Sequence, residues 1–387
     1  MIQSYPLRSL IEGSWFKLIC GASYQHLPAV RSLALAYSLA GADCIDVAAD
    51  PAVIAAAREG IRVAQKLANQ QELLVTRKNY DCPTLFSTPS LEEKQINSPW
   101  LMVSINDGED PHFRKAEFDV AQCPTDCPQP CVQVCPANAI EANSVGVITD
   151  LCYGCGRCLP ICPQELIVTR SHISSPKAIA SLIESMDIDA VEIHTHTGHY
   201  EEFRRVWQEL YPVVHKLKLL AISCTDGQNV VNYLRSLYEL ISPLPCPLIW
   251  QTDGRSMSGD IGKGTTHATI SFAHKVLQAD LPGYIQLAGG TNDYTVEKLK
   301  RSQMLRRFNQ DDRVKSVAGV AYGSYARTIL LSTLDQLETT ELQNIKSNLF
   351  KSQSMNELKL KLEQDQALLQ QAVSIASQLV NQIKRDV

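Results

Sequence analysis

"AVEIHTHTGHYEEFRRVWQELYPVVHKLKLLAIS", residues 190–223, holds two short β-branched and aliphatic runs separated by a longer amphipathic stretch. The runs "AVEIHTH" (190–196) and "LLAIS" (219–223) have strand length, and the stretch between them has helical spacing. The same unit recurs along the chain. Before it stand "FKLIC" (16–20), "CIDVA" (44–48) and "WLMVSI" (100–105), with the helical patterns "LPAVRSLALAYSLAG" and "PAVIAAAREGIRVAQKLA" between them. After it come "PLIWQ" (247–251), "YIQLAG" (284–289) and "SVAGVAYG" (316–323). Alternating strands and helices with buried strands require crossover connections, and so an α/β protein with a parallel sheet. Eight such units in 387 residues predict a (β/α)8, TIM-like barrel, with a doubly wound open α/β sheet as the alternative.

The expected organisation is three strands of the barrel in 1–110, an insert in 111–171, the remaining five strands in 172–338 and a helical tail in 339–387. In the tail, Leu358, Leu362, Leu369, Val373, Ala376, Leu379 and Ile383 recur at helical spacing, with no glycine or proline among them. That stripe is expected to dock on the barrel, or else to pair with a partner or a second copy as a homodimer.

Composition limits the function. Hydrophobic residues make up 45% and charged residues 20% of the chain, which suits an ordinary globular core. With a net charge of −5 there is no basic face to drive binding by counterion release, so nucleic acid is set aside. No run of about 18 apolar residues predicts a transmembrane segment, and "MIQSYPLRSLIEGSWFK" lacks the apolar core of a signal peptide. The expected location is cytoplasmic, where clustered cysteines bind metal more often than they form disulfides.

Eight of the thirteen cysteines fall in the insert, in "CPTDCPQPCVQVCP" (123–136) and "CYGCGRCLPICP" (152–163). The second group, Cys152, Cys155, Cys158 and Cys162 followed by Pro163, has the spacing that wraps three thiolates round one cubane while the fourth reaches another cluster. In the first group Cys123, Cys127, Cys131 and Cys135 stand four apart, but Pro124, Pro128 and Pro130 forbid a continuous helix and predict a winding loop. "ANAIEANSVGVITDL" and "QELIVTR" are β-branched runs that could pair with each other as a small sheet. Two structural zinc sites are the competing reading of the same cysteines.

The region 121–170 resembles the two-cluster bacterial ferredoxins. That resemblance implies crossed ligation, with one cluster on Cys123, Cys127, Cys131 and Cys162 and another on Cys135, Cys152, Cys155 and Cys158. Both are expected as 4Fe-4S clusters. The widened first group departs from the family pattern and leaves a 3Fe-4S form open for the first.

On the barrel reading, the insert follows the third strand and lies at the mouth, where active sites of such barrels are built. At the fourth strand Glu192, His194 and His196 alternate, with His199 beyond them, which suggests a metal or acid–base site or a plain polar cluster. Gly289 and Gly290 after the seventh strand, and Gly323, Ser324 and Arg327 after the eighth, suggest a phosphate cradle for a flavin or another phosphorylated ligand. The loop "TDGRSMSGDIGKGTTH" (252–267) lacks the Walker A pattern and reads as a lid offering Arg255, Lys263 and His267 to an anion, or as a solvated loop. Among the remaining cysteines, Cys20, Cys44, Cys82, Cys224 and Cys246, those at strand ends, Cys20 and Cys224, could be reactive thiols, although buried lone cysteines are commonly small hydrophobes.

The cysteine groups, combined with the flanks "WFKLICGASYQHLPAVRSLALAYSLAGADCIDVAADP" and "AVEIHTHTGHYEEFRRVWQELYPVV", make the chain resemble the cyanobacterial light-dependent period (LdpA) family across most of its length. The resemblance implies a redox input to the circadian clock, sensing cellular redox state as a proxy for light and associating with clock-input and oscillator proteins. The expected function is an iron–sulfur redox sensor, in equilibrium with the electron-transport pool, rather than a catalyst. The alternative is an oxidoreductase with a ligand at the barrel mouth.

Overall fold

The structure, a computed structural model, describes residues 4–21, 27–79, 98–108, 114–135, 138–141, 144–149, 151–152, 158–171, 176–254, 264–305, 315–348 and 360–384. A short helix, α1 (Tyr5–Glu12), leads into β1 (Trp15–Gly21), α2 (Leu27–Leu39), β2 (Cys44–Ala48), α3 (Pro51–Asn79) and β3 (Trp100–Asn106). The insert carries β4 (Arg114–Glu117), α4 (Pro130–Val134), β5 (Ile140–Glu141), β6 (Gly146–Val147) and β7 (Val168–Ser171). The barrel resumes with α5 (Pro176–Ser185), β8 (Ala190–Thr195), α6 (Tyr200–Leu210), β9 (Leu219–Thr225), α7 (Val230–Ile241) and β10 (Leu248–Asp253). It ends with α8 (Thr266–Gln278), β11 (Tyr284–Ala288), α9 (Thr295–Arg301), β12 (Gly319–Tyr322), α10 (Ser324–Asn348) and α11 (Gln366–Lys384).

Eight strands close in the order β1-β2-β3-β8-β9-β10-β11-β12 and back to β1, all parallel. This is the (β/α)8 barrel, and all eight expected strands take part; the open sheet is replaced by closure of β12 on β1. Period-two alternation explains why each strand sits as it does. Phe16, Leu18, Ile45, Val47, Leu101, Val103, Val191, Ile193, Leu220 and Ile222 pack outward against the helices in the main core. Trp15, Cys44, Trp100, Met102, Ala190, Leu219, Ala221 and Ile249 form a second apolar group, which Leu10 of α1 joins. The alternate positions nearer the strand C-termini are polar instead: Lys17, Asp46, Ser104, Glu192, Ser223, Gln251 and Gln286 are all buried.

Helices α2 and α3 pack against each other because Gly60 lets the backbones approach: a Cβ there would lie 2.3 Å from the Arg31 carbonyl oxygen. The tail docks on the barrel. Of the expected stripe, Leu362, Ala376, Leu379 and Ile383 are buried in the main core, joined there by Leu368, Ala372 and Val380, while Leu369 and Val373 are half-buried. Ion pairs fasten it, with Arg31 forked onto Glu363 at 2.8 and 2.5 Å and Lys384 Nζ 2.6 Å from Asp43 Oδ2. Helix α10 runs unbroken past residue 338, where the tail is expected to begin, and Leu358 lies outside the described residues.

The insert leaves from the C-terminal end of β3, as expected. Its two β-branched runs do not pair with each other. Ile140–Glu141 turns back on Gly146–Val147 as a hairpin within the first run, and Val168–Ser171 pairs antiparallel with Arg114–Glu117 at the start of the insert. The first pairing is local in sequence, while the second brings the two ends of the insert together.

Candidate metal centre

The first cysteine group is mostly loop with two short turns. Asp119 accepts a hydrogen bond from the Ala121 amide and caps a turn over Val120–Gln122, after which Cys123 follows. Gln129 takes a left-handed conformation, and Pro130 at the first helical position starts the five-residue α4. The prolines thus forbid a long helix but permit this short one, which presents Cys131 and ends at Cys135.

Among the described residues, five cysteines of the insert gather round one small core. Cys131, Cys152 and Cys158 are buried with Ala116, Ala139, Ile140 and Ile167, and Cys135 and Cys162 pack against them. The Ala139 amide donates to Cys135 Sγ at 3.2 Å. Burial pushes the Cys123 thiol up, and neighbouring Cys127 and Cys162 push it further. Burial likewise raises Cys131, which feels Cys162 and Cys123. Of the expected first ligand set, Cys123, Cys131 and Cys162 thus act on one another, and Cys127 acts on Cys123. Cys162 moves the other way: burial would raise it, but the backbone amides of Gln164, Leu166, Ile167 and Glu165 prevail and hold it below its ordinary value. A nest of amides on one sulfur favours the thiolate, the form that binds metal. Of the second set, Cys135, Cys152 and Cys158 line the same core, and Cys155 lies outside the described residues.

This donor set fits an iron–sulfur group: thiols around an apolar core, with amides aimed at sulfur. Among the described residues no three His, Cys, Asp or Glu side chains converge closely enough for a single ion. The corners of a cubane hold thiolates farther apart than the ligands of one ion.

One contact that the sequence reading missed ties the insert to the barrel. Lys115 Nζ of β4 lies 2.5 Å from Asp50 Oδ2 and donates to the Thr149 carbonyl oxygen, with both charged side chains buried. Asp50 follows β2 and caps α3 by accepting from the Ala52 and Val53 amides at 2.9 and 3.2 Å. Asp-Pro ahead of a helical run was the available signal for the cap; its partner, 65 residues away, had none.

At the barrel mouth, Glu192 is fully buried and paired with Lys17. His194 Nδ1 shares a hydrogen bond with Ser223 Oγ, His196 is exposed beside Thr225, and His199 Nδ1 donates to Asp107 Oδ1 at 3.2 Å. Glu192 and His194 stand 3.5 Å apart, and the His196 and His199 rings meet edge to face with centroids 5.5 Å apart, so the four side chains form a polar cluster. Gly289 and Gly290 both have positive φ, and a Cβ on Gly290 would lie 2.9 Å from the Thr265 carbonyl oxygen. Their own carbonyls accept from Thr269 and Thr265. Arg327 donates to the Ile19 carbonyl oxygen at 3.0 Å and to Ser324 Oγ at 3.1 Å, beside Gly323. Arg255 and Lys263 lie outside the described residues, and His267 stands exposed on α8. Burial pushes the Cys20 and Cys224 thiols up to about 12, which disfavours the nucleophilic thiolate at both.

A profile of the LdpA Fe-S cluster-binding domain matches residues 123–173, and one of the Light dependent period A C-terminal domain matches residues 182–382. Light dependent period A of Synechococcus elongatus is 44% identical over 387 residues, covering 100% of this chain and 96% of that protein. The chain belongs to the Light dependent period A family. The LdpA cluster-binding profile spans all eight cysteines of the insert, from Cys123 through Cys162. The LdpA C-terminal profile takes in the barrel from α5 through α11. Among the described residues, no helix is long and apolar enough to cross a membrane.

Proposed function

We propose that this protein is an iron–sulfur redox sensor that conveys cellular redox state, as a proxy for light, to the circadian clock through protein partners. The observation that carries this reading is the eight-cysteine insert, matched by an iron–sulfur domain profile and pinned to the barrel by the buried Lys115–Asp50 pair. Cys123, Cys127, Cys131 and Cys162 would hold one cluster, and Cys135, Cys152, Cys155 and Cys158 the other, as 4Fe-4S centres, with a 3Fe-4S form in the first set as the variant. When bound, such a group takes up and releases single electrons from the electron-transport pool.

The chain's own residues would convert that charge into a change of surface. The amides round Cys162 and Cys135 stabilise negative charge on sulfur, and Lys115 sits on the strand where the insert enters the barrel. One unit of charge felt at about 10 Å, with an effective dielectric of about 20, is worth roughly 1.5 kcal/mol. That is the size of a typical allosteric coupling, about 1–3 kcal/mol. Val145, Leu151, Ile161 and Val168 stand exposed on the insert, where clock-input or oscillator proteins could read the change.

The test is anaerobic purification followed by partner binding at set potentials. A brown protein with iron and sulfide in cluster proportion, whose affinity for clock proteins tracks potential, is the expected result. A colourless zinc protein, or binding indifferent to potential, would overturn it. Release of a stoichiometric flavin, together with reductase activity lost on replacing Gly290 and Arg327, would favour the oxidoreductase reading.

A further inference from the structure

The lower half of the barrel interior is filled by apolar side chains, as a barrel that serves only as scaffold requires. The upper half is not. Trp15 Nε1 donates to Gln286 Oε1 at 2.6 Å, Gln286 Nε2 to Gln251 Oε1 at 2.6 Å, and Gln251 Nε2 to Glu192 Oε1 at 2.6 Å and Asp253 Oδ1 at 3.1 Å. This chain of amides runs upward from the apolar layer and ends on two carboxylates. Asp46 adds a third, held by Ser104 Oγ at 2.6 Å.

Among the described residues, the ion pairs in this shell do not reach every carboxylate. Lys17 pairs with Glu192 and lies 3.5 Å from Asp46 Oδ2. Asp253 has no cation within ion-pair distance among the described residues. It sits at the C-terminal end of β10, half-buried, in the position where barrels place groups that meet ligands. Close by in the same network, His194 has its Nδ1 engaged by Ser223 and lies 3.5 Å from Glu192 Oε1, while its ring stays 26% exposed. Its Nε2 has no protein partner among the described residues. Among the described residues, a carboxylate with no cation at ion-pair distance and an imidazole nitrogen with no protein partner thus stand at the top of a hydrogen-bonded network.

We propose that the barrel mouth binds a small polar molecule bearing an ammonium group, with Asp253 as counter-ion and His194 Nε2 as a hydrogen-bond partner. The proposal does not depend on the redox reading. Burial, reinforced by Glu192 and opposed by His194 and Lys17, pushes the Asp253 carboxyl up to about 7.

Ethanolamine and putrescine serve as probes, with ethylene glycol and 1,4-butanediol as neutral counterparts and inorganic phosphate as the anion. Titration calorimetry and thermal melting of the whole chain should show saturable binding of an amine and a rise in Tm that the diols and phosphate do not produce. Asp253→Asn keeps an acceptor for Gln251 and should lose the binding at least about tenfold while circular dichroism stays unchanged. In the unsubstituted protein, amine binding should weaken about tenfold between about pH 8 and about pH 6 as the carboxyl takes up its proton. That measurement tests the site even if the variant misfolds. Absence of binding by both amines, equal effects from the diols, preference for phosphate, or binding that survives in Asp253→Asn would each overturn the proposal.

Discussion

Replacing Lys17 by Met keeps the length and apolar stem of the side chain and removes only the ammonium. In the structure that ammonium pairs with Glu192 and lies 3.5 Å from Asp46, and none of the three side chains is more than 2% exposed. Its loss leaves two carboxylates in the barrel interior without a cation. Breaking one side of a buried pair costs about 3–5 kcal/mol, because the remaining charge keeps its desolvation penalty and loses its compensation. Against a total stability of about 5–15 kcal/mol the variant should be severely weakened.

The pH dependence gives the reasoning a sign. With Lys17 present, burial pushes Glu192 up, but Lys17 and His194 prevail and hold it below its ordinary value. Asp46 is up at about 6, since burial and Glu192 outweigh Lys17. Without Lys17 both carboxyls rise further. A carboxyl raised in the folded state contributes stability that is present below the unfolded value of about 4 and is lost as pH rises through the folded value. The deficit of Lys17→Met should therefore be largest near pH 8 and shrink towards pH 5. Urea unfolding of both proteins, followed by tryptophan fluorescence at about pH 8 and about pH 5.5, reads this directly. The double variant Lys17→Met with Glu192→Gln should recover part of the loss, since one of the stranded charges is gone. A deficit below about 1 kcal/mol at pH 8, or one equal at both pH values, would refute the view that these charges compensate one another.

Other substitutions separate the parts of the molecule. If Cys162 holds one of two clusters as proposed, Cys162→Ser should lower iron and sulfide after anaerobic reconstitution to about half, whereas Cys20→Ser should leave both unchanged because that thiol is buried in the barrel. Lys115→Met strands the fully buried Asp50 and should cost about 3 kcal/mol, seen as faster limited proteolysis within residues 111–171. Gly60→Ala would place a methyl 2.3 Å from the Arg31 carbonyl oxygen, so α2 and α3 must part, at about 1–3 kcal/mol by thermal melting with no change in iron content.

What could be read from the sequence follows from the range of the physics involved. The eight strands were legible because their outward residues, such as Phe16 and Leu18 or Val191 and Ile193, alternate in a local window against helices with their own period. The cysteine insert was legible because ligand spacing is also local. Pairing inside the insert was not: "QELIVTR" joins residues about fifty positions earlier, at Arg114–Glu117, where chain entry and exit meet. Helix α1 was missed because its role, placing Leu10 against the apolar layer at Trp15 and Trp100, exists only after the barrel closes.

The barrel interior is the instructive case. Lys17 in "FKLIC", Asp46 in "CIDVA", Glu192 in "AVEIHTH", Gln251 in "PLIWQ" and Gln286 in "YIQLAG" each interrupt an apolar strand at an inward position. Singly each reads as an oddity. Closure of β12 on β1 brings them to one level, where their separate costs become a shared network. Apolar side chains of similar volume would hold the same barrel at least as well, and the lower half shows that this sequence can supply them. Support for the cysteine insert therefore does not account for the charges above that layer; the amine site proposed at the mouth would give them a role.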